Sequence, residues 1–219
     1  MFEILVSGIF GYLMGSIFIS YYWGKINGID LTEEGTGQLG ASNAGRSLGW
    51  PSMVIFGLFD IFKATLTLGI MWFFFNYLFS SPYYEVLLIT GSLGIIMGHI
   101  KSFWLWLEKY EWHGGKGGAP FGGIILFLSL ESFIILYIVI MVVLQLVKRF
   151  ILKGKFYDNF STNAIVVLLS PIVVFWFTGN FMNFTLVLLA IGIIIFFERE
   201  KIVNTLGVKA FKGSRKALD

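Results

Sequence analysis

The sequence lacks the residues on which several common chemistries depend. It contains no cysteine and only two histidines, His99 and His113. The absence of cysteine excludes disulfide bonds, thiolate nucleophiles and cysteine-ligated metals, and two histidines disfavour a histidine-rich metal site. We therefore expect no metal and no cofactor. Charged residues are also scarce, at 13% of the chain, about half of the roughly 25% that soluble domains carry.

Apolar residues take the place of the missing charges. They make up 57% of the 219 residues, 24 of them are phenylalanine, and the mean hydropathy is +0.81. This composition is typical of integral membrane proteins. The N-terminus lacks the basic region and the small-residue cleavage site of a secretory signal, so we expect residues 4–24 to be a retained membrane segment.

Apolar runs of about 20 residues, the length that crosses a bilayer, predict a single all-α membrane domain covering residues 1–219. The N-terminus is predicted outside and the C-terminus in the cytoplasm. The predicted spanning or half-spanning segments are 4–24, 53–79, 84–107, 119–130, 132–147, 164–178 and 181–197. The predicted cytoplasmic parts are the loops 25–50, 108–118 and 148–161 and the tail 198–219.

The count of seven depends on the apolar run 119–147, which can form one tilted helix or two short ones. If this run turns near Glu131, every basic connection faces the same side of the membrane. Cytoplasmic loops are enriched in Lys and Arg, so we prefer two segments. The alternative with one segment gives six spans.

The first predicted cytoplasmic loop is dense in glycine and in short polar side chains. Glycines let backbone N–H groups turn toward an anion, and an arginine can bind phosphate with two parallel hydrogen bonds. We interpret the loop as a phosphate site; the alternative is a flexible connector. Its candidate residues are Gly35, Thr36, Gly37, Gln38, Gly40, Ser42, Asn43 and Arg46.

The second loop, 108–118, places Lys116 among glycines and leads into an apolar segment. Exposed amides, one point charge and a helix N-terminus favour an anion, so Gly114, Gly115, Lys116 and Gly117 are candidates for a second phosphate site. The alternative is a tight turn at the membrane surface. His99 can serve as a titratable group or form a hydrogen bond to a neighbouring helix.

Two charged residues, Asp60 and Lys63, lie three positions apart inside the second predicted span. Unpaired charges are costly in hydrocarbon, so these two should pair with each other or face the interior. They either lock helices together or support a polar site. The basic tail after Glu198 is interpreted as an anchor for anionic lipid headgroups.

These motifs together resemble the bacterial acyl-phosphate:glycerol-3-phosphate acyltransferases, the PlsY family. The first loop matches that family's first motif from Gly35 to Gly49, and Asp60 with Lys63 matches its intramembrane Asp-x-x-Lys. Gly98-His99 followed by Gly114–Gly117 resembles its second motif. The chain is several residues longer between His99 and Gly114, and Glu198 stands where the third motif has a histidine.

The resemblance implies a bacterial inner-membrane enzyme of phospholipid biosynthesis with its site on the cytoplasmic side. Its substrates would be acyl phosphate and glycerol 3-phosphate, its surroundings membrane lipids, and no nucleic acid would bind. It implies catalytic roles for Ser42, Asn43, Arg46, His99 and Lys116, with Asp60, Lys63 and Glu198 in support. Because the third motif differs, a paralogue with another donor or acceptor and a non-catalytic binding protein stay open. A small transporter is a third alternative, which the scarcity of charged residues in the apolar segments disfavours.

Overall fold

The structure, a computed structural model, describes residues 1–140, 142–143, 146 and 159–205, with the backbone alone at 159–165 and 200–205. Regular structure in these residues is entirely helical. The helices are α1 (Phe2–Gly15), α2 (Ile19–Ile26), α3 (Ala41–Leu48), α4 (Trp50–Trp72), α5 (Tyr84–Ile100), α6 (Phe103–Lys109), α7 (Gly118–Leu128), α8 (Leu130–Phe133), α9 (Asn159–Thr178) and α10 (Phe181–Thr205). A π-helical turn extends α4 over Phe73–Leu78, and another extends α8 over Ile134–Ile140.

The helices have the length and surface of membrane segments. Four stretches in the described residues are long and apolar enough to cross a bilayer, namely Phe2–Ile26, Trp50–Leu78, Tyr84–Lys109 and Phe181–Arg199. Large side chains point outward, as Leu58 and Phe62 do with about 60% of their surface exposed. Such a surface is stable in lipid and not in water. The predicted all-helical membrane architecture is confirmed; the number of crossings and the orientation stay predictions.

Several helix boundaries differ from those predicted. The segment predicted at 4–24 is interrupted at residues 16–18, and the segment predicted at 84–107 is interrupted at Lys101–Ser102. The loop predicted at 25–50 contains the helix α3. The predicted loop 148–161 lies outside the described residues up to position 158, as does the tail from residue 206.

The long apolar run beginning at residue 119 is broken at Ser129. Its backbone there is extended, at φ −163° and ψ 117°, so α7 ends and α8 begins with Ser129 as its N-cap. The Ser129 hydroxyl accepts a hydrogen bond from the Ser132 N–H at 3.0 Å, the usual way to satisfy a free donor at a helix start. The break falls where the two-segment interpretation places its turn.

Small residues allow α1 and α5 to pack with their backbones nearly touching. Gly11 and Gly15 of α1 form a GxxxG pattern, and so do Gly94 and Gly98 of α5. A Cβ on Gly11 would lie 2.1 Å from the Gly91 carbonyl oxygen, and one on Gly98 would lie 2.0 Å from the Tyr12 carbonyl oxygen. Such small-residue contacts are a general mode of helix association in membranes.

Two buried clusters hold the bundle and the first loop. The larger cluster joins α4, α5, α7, α9 and α10 through residues such as Leu68, Ile95 and Phe121. The smaller one lies beneath the first loop and includes Leu31 and Leu39, both fully buried. These two leucines fix both ends of the glycine-rich stretch between them.

Candidate active site

The two glycine-rich loops that the sequence singles out meet at one end of the bundle. The Leu39 N–H donates to the Gly114 carbonyl at 3.0 Å, and the position of a Cβ on Gly40 is 3.9 Å from the Gly115 Cα. The second loop is also tied to the end of α5, because the Gly115 N–H donates to the His99 carbonyl at 2.7 Å. Loops about 75 residues apart in sequence therefore form one surface.

Asn43 organises the first loop from inside. Its Oδ1 accepts from the Thr36 N–H at 2.9 Å and from the Thr36 hydroxyl at 3.2 Å, and its Nδ2 donates to the carbonyls of Leu31 and Glu34. Only 2% of Asn43 is exposed. Gly35 has a φ of +59°, and a Cβ there would lie 2.4 Å from the Asn43 Oδ1. The amide side chain thus shapes the loop, which supports a positioning role for Asn43.

Ser42 and Arg46 lie on the exposed face of α3. They are four residues apart, so both project from the same side of the helix, and both are exposed. Thr36 is exposed in the adjoining loop. This arrangement presents the Ser42 hydroxyl and the Arg46 guanidinium at the surface, two donors suited to a phosphate, whereas the Thr36 hydroxyl already donates to the Asn43 Oδ1.

Lys63 joins three parts of the bundle inside the membrane. Its ammonium donates to the Asp60 Oδ1 and to the Ile17 carbonyl, both at 2.7 Å, and lies 3.3 Å from the His99 Nδ1. The Ile17 carbonyl belongs to the break between α1 and α2, where no helical partner satisfies it. Lys63 therefore links α4 to the break between α1 and α2 and to His99 at the end of α5. These contacts fit both predicted roles of the Asp60–Lys63 pair, and its support of the site stays a prediction.

His99 is buried behind the second loop. Its ring centroid lies 4.6 Å from that of Phe18, and 2% of the residue is exposed. An ammonium can only donate, so a hydrogen bond between Lys63 and His99 needs Nδ1 as the acceptor. A Cβ on Gly115 would lie 2.3 Å from the His99 Nε2, so the imidazole supports the loop from below. A direct contact between His99 and substrate stays a prediction.

A cavity of about 210 Å³ opens beside the junction of the loops. It brings together five predicted site residues: Gly37, Gln38, Gly114, Gly115 and Glu198. The Gln38 side-chain amide lies 3.5 Å from the Glu198 Oε1, so the start of the third motif reaches the first two. Ser42, Arg46 and Lys116 are exposed outside this lining, and Gly117, at φ +83°, is the N-cap of α7.

The same cavity contains residues that the sequence interpretation did not assign to the site. Lys101, Trp112 and Phe197 line it, and the Lys101 ammonium lies 5.9 Å from the Trp112 ring centroid and 5.6 Å from that of Phe197. Lys101 directly follows the last residues of α5, Gly98-His99-Ile100. Its closeness in sequence to His99 was the one signal that could have indicated a place in the site. Trp112 reaches the cavity because of the way the segment between His99 and Gly114 folds, and this position could not be predicted from the sequence.

An ion pair between Asp30 and Lys109 fastens the first loop to α6. Lys109 donates to the Asp30 carboxylate and to the Thr32 hydroxyl, and the Thr32 N–H donates to the Asp30 Oδ1 at 2.9 Å. Partial burial raises the pKa of Asp30, but the hydrogen bonds from Lys109 and Thr32 outweigh this and lower it to about 2. The carboxylate is therefore ionised whenever the site is near neutral pH.

Comparison with known proteins places this geometry in a family. The profile of a family described as "Glycerol-3-phosphate acyltransferase" matches residues 5–207. A protein of that name from Prochlorococcus marinus (strain NATL1A) is 32% identical over 200 residues, 89% of this chain and 90% of the relative. One from Geobacillus kaustophilus is 36% identical over 141 residues, 64% of each chain.

A solved structure has the same fold. The crystal structure of PlsY (YgiH), described as an integral membrane glycerol 3-phosphate acyltransferase in its glycerol 3-phosphate form, superposes with a TM-score of 0.73 at 22% identity. The match covers 94% of this chain and 93% of that one. From the profile match over most of its length, its sequence relatives and its fold, the chain belongs to the glycerol-3-phosphate acyltransferase family.

Proposed function

We propose that this protein is a membrane acyltransferase that moves a fatty acyl group from acyl phosphate to the sn-1 hydroxyl of glycerol 3-phosphate. The hydroxyl oxygen bonds to the acyl carbon, the bond from that carbon to the phosphate oxygen breaks, and the products are lysophosphatidate and inorganic phosphate. Acyl phosphate is a mixed anhydride and is already activated, so no nucleophile of the enzyme is needed. The hydroxyl proton passes to an oxygen of the departing phosphate.

One observation carries this proposal: two glycine-rich loops, each with a basic residue, converge at a single end of an apolar bundle. The hydrogen bond between the Leu39 N–H and the Gly114 carbonyl fixes their proximity. A reaction between two phosphate-bearing molecules needs two anion sites within reach of each other. Holding both reactants in place is itself a large part of catalysis.

We assign the residues roles that follow from their placement. Thr36, Ser42 and Arg46 bind phosphate or orient the acceptor from the exposed side of the first loop. Lys116 and the loop Gly114–Gly117 bind the second phosphate, without the Gly115 N–H, which donates to the His99 carbonyl. Asn43 and His99 hold the two loops in shape, and Asp60 with Lys63 holds His99. Positive charge and N–H donors aimed at the phosphates stabilise the charge that develops in the transition state.

The proposal also includes the topology of the protein in the membrane. We infer seven segments, with the N-terminus outside, the C-terminus inside, and the site at the cytoplasmic face of the bacterial inner membrane. The break at Ser129 supports two segments in the run 119–147, and the basic connections then all face the cytoplasm. The acyl chain enters sideways from the surrounding lipid and never crosses water.

The test is the release of inorganic phosphate from palmitoyl phosphate by the purified protein. Release that requires glycerol 3-phosphate and yields lysophosphatidate is the expected result. Glu198 stands where the family motif has histidine, and this favours one second candidate, a paralogue with a different acceptor. Release that requires another hydroxyl compound would identify that paralogue, and binding of glycerol 3-phosphate without any release would overturn the enzymatic proposal.

A further inference from the structure

Lys101 lies at the mouth of the site, on a rigid part of the backbone. Its N–H donates to the Met97 carbonyl at 2.8 Å at the end of α5, and its own carbonyl accepts from the Tyr12 hydroxyl at 2.9 Å. The next residue, Ser102, donates its hydroxyl proton to the Ser16 carbonyl at 2.7 Å. The starting point of the Lys101 side chain is therefore fixed relative to α1 and α5.

Aromatic rings hold the charged end of that side chain in place. The ammonium lies within 6 Å of the centroids of both Trp112 and Phe197, a distance at which a ring face attracts a cation. Trp112 is itself supported, because its ring stacks on Trp106 at a centroid distance of 5.6 Å and an angle of 19°. Both tryptophans belong to the segment that is longer here than in the family pattern.

Lys101 lines a cavity that suits a small polar group. Its volume of about 210 Å³ is below the range of about 300–1,000 Å³ that is usual for pockets of drug-sized ligands, as expected for a small phosphorylated compound. Glycines of both loops, Gly37, Gly114 and Gly115, line it together with the polar Gln38. Lys101 contributes a point charge to this lining.

We propose that Lys101, held between Trp112 and Phe197, binds the phosphate of the acceptor in this cavity. This inference rests on the proposed function, and it assigns to this chain a third basic group beside Arg46 and Lys116. A compact ammonium anchored by rings is a suitable phosphate ligand. Glu198 lines the same cavity.

The test compares Lys101→Met with Lys101→Arg in detergent-purified protein. Methionine keeps an apolar stem between the rings but removes the charge, so the KM for glycerol 3-phosphate should rise about tenfold or more while the KM for palmitoyl phosphate stays unchanged, because one charged hydrogen bond is lost. Arginine should restore the KM to within about threefold. A native KM in Lys101→Met overturns the proposal.

Two controls separate this role from indirect effects. Lys25→Met removes a half-exposed lysine that pairs with Glu108 away from the cavity, and it should leave the KM for glycerol 3-phosphate unchanged. If Lys101 only neutralises Glu198, the double variant Lys101→Met with Glu198→Gln should regain native affinity. That recovery would overturn a direct contact with phosphate, whereas affinity that stays weak in the double variant supports it.

A direct binding measurement keeps the inference independent of turnover. Glycerol 3-phosphate should raise the melting temperature of the native protein, and Lys101→Met should need about tenfold more of it for the same shift. If the native protein turns over no acyl phosphate yet shows this difference, the proposed reaction fails and the Lys101 site stands. Equal shifts in the two proteins would remove the Lys101 site whatever the reaction.

Discussion

The proposed reaction assigns Arg46 and Lys116 to the two phosphates. We expect Arg46→Ala and Lys116→Ala each to lower the transfer rate by about 100-fold or more, because charge stabilisation in the transition state is lost. Both residues are exposed, so the variants should keep the native melting temperature. Phosphate release from palmitoyl phosphate is the measurement, and Glu33→Ala on the exposed part of the first loop is the control. A native rate in either variant would remove that residue from the site.

Gly115 tests whether the second loop must rest on His99. A Cβ at this position would lie 2.3 Å from the His99 Nε2, a distance that forces the loop or the imidazole to move. Gly115→Ala should therefore lower turnover by at least about tenfold, since displacement of a positioned group is costly in rate. Gly118→Ala, where a Cβ meets nothing within 4 Å, should stay close to native. Equal activities would show that the contact does not matter.

The candidate site was predictable to the extent that residue type and spacing carry its chemistry. Glycine-rich stretches with Arg46 and Lys116 favour anion binding over a plain connector, and the hydrogen bond between Leu39 and Gly114 joins the two loops. The tight enclosure of Asn43 was not predictable, because its partners are backbone carbonyls whose positions depend on the folded loop. The place of Lys101 was not predictable either, because it depends on how the folded chain brings Trp112 next to it.

Among the helices, the closest contact is the one between α1 and α5. Gly11→Ala would place a Cβ 2.1 Å from the Gly91 carbonyl oxygen and so push the two backbones apart. Overpacking of this kind costs about 1–3 kcal/mol, and the melting temperature should fall by roughly 5 °C. Gly69→Ala in α4, where a Cβ meets nothing within 4 Å, should be neutral or slightly stabilising because alanine favours a helix. A Gly11→Ala protein as stable as Gly69→Ala would contradict this packing.

The ion pair that fastens the first loop to α6 should respond to acid. The pKa of Asp30 is lowered from 3.8 to about 2 in the folded protein, so its stabilising contribution is complete above about pH 4 and disappears as the pH falls through 2. Asp30→Asn should cost about 0.5–1 kcal/mol at pH 7, after allowance for solvent screening. The melting temperatures of native protein and variant should converge toward pH 2. A difference that persists at pH 2 would assign the effect to something other than charge.

The helix breaks explain which parts of the fold the sequence could not reveal. Continuous apolar runs predict membrane helices, and the long helices of the structure lie where such runs occur. The interruptions at residues 16–18 and at Lys101–Ser102 have no proline to indicate them. They are stabilised by distant partners, since Lys63 satisfies the Ile17 carbonyl and Ser102 satisfies the Ser16 carbonyl. Only the folded bundle brings these groups together.

The orientation of the whole molecule can be tested directly because the native chain contains no cysteine. In intact cells, a membrane-impermeant maleimide should label Ser80→Cys and Glu131→Cys, whereas Glu33→Cys should react only after the cells are permeabilised. Positions 33, 80 and 131 are exposed. A six-span chain would bury position 131 in lipid and leave it unlabelled. Labelling of Glu33→Cys in intact cells would reverse the proposed orientation.

The contacts of Lys63 have a consequence for how defects in this molecule should be interpreted. The Lys63 ammonium contacts Asp60 on α4, the Ile17 carbonyl between α1 and α2, and the His99 imidazole under the second loop. Helix α2 leads directly into the first loop. A substitution at this buried contact would therefore loosen both halves of the site at once. In a randomly mutated protein, inactive variants should therefore cluster around the contacts of Lys63 as well as around the loops. Loss of turnover alone does not identify the residues that contact the substrates.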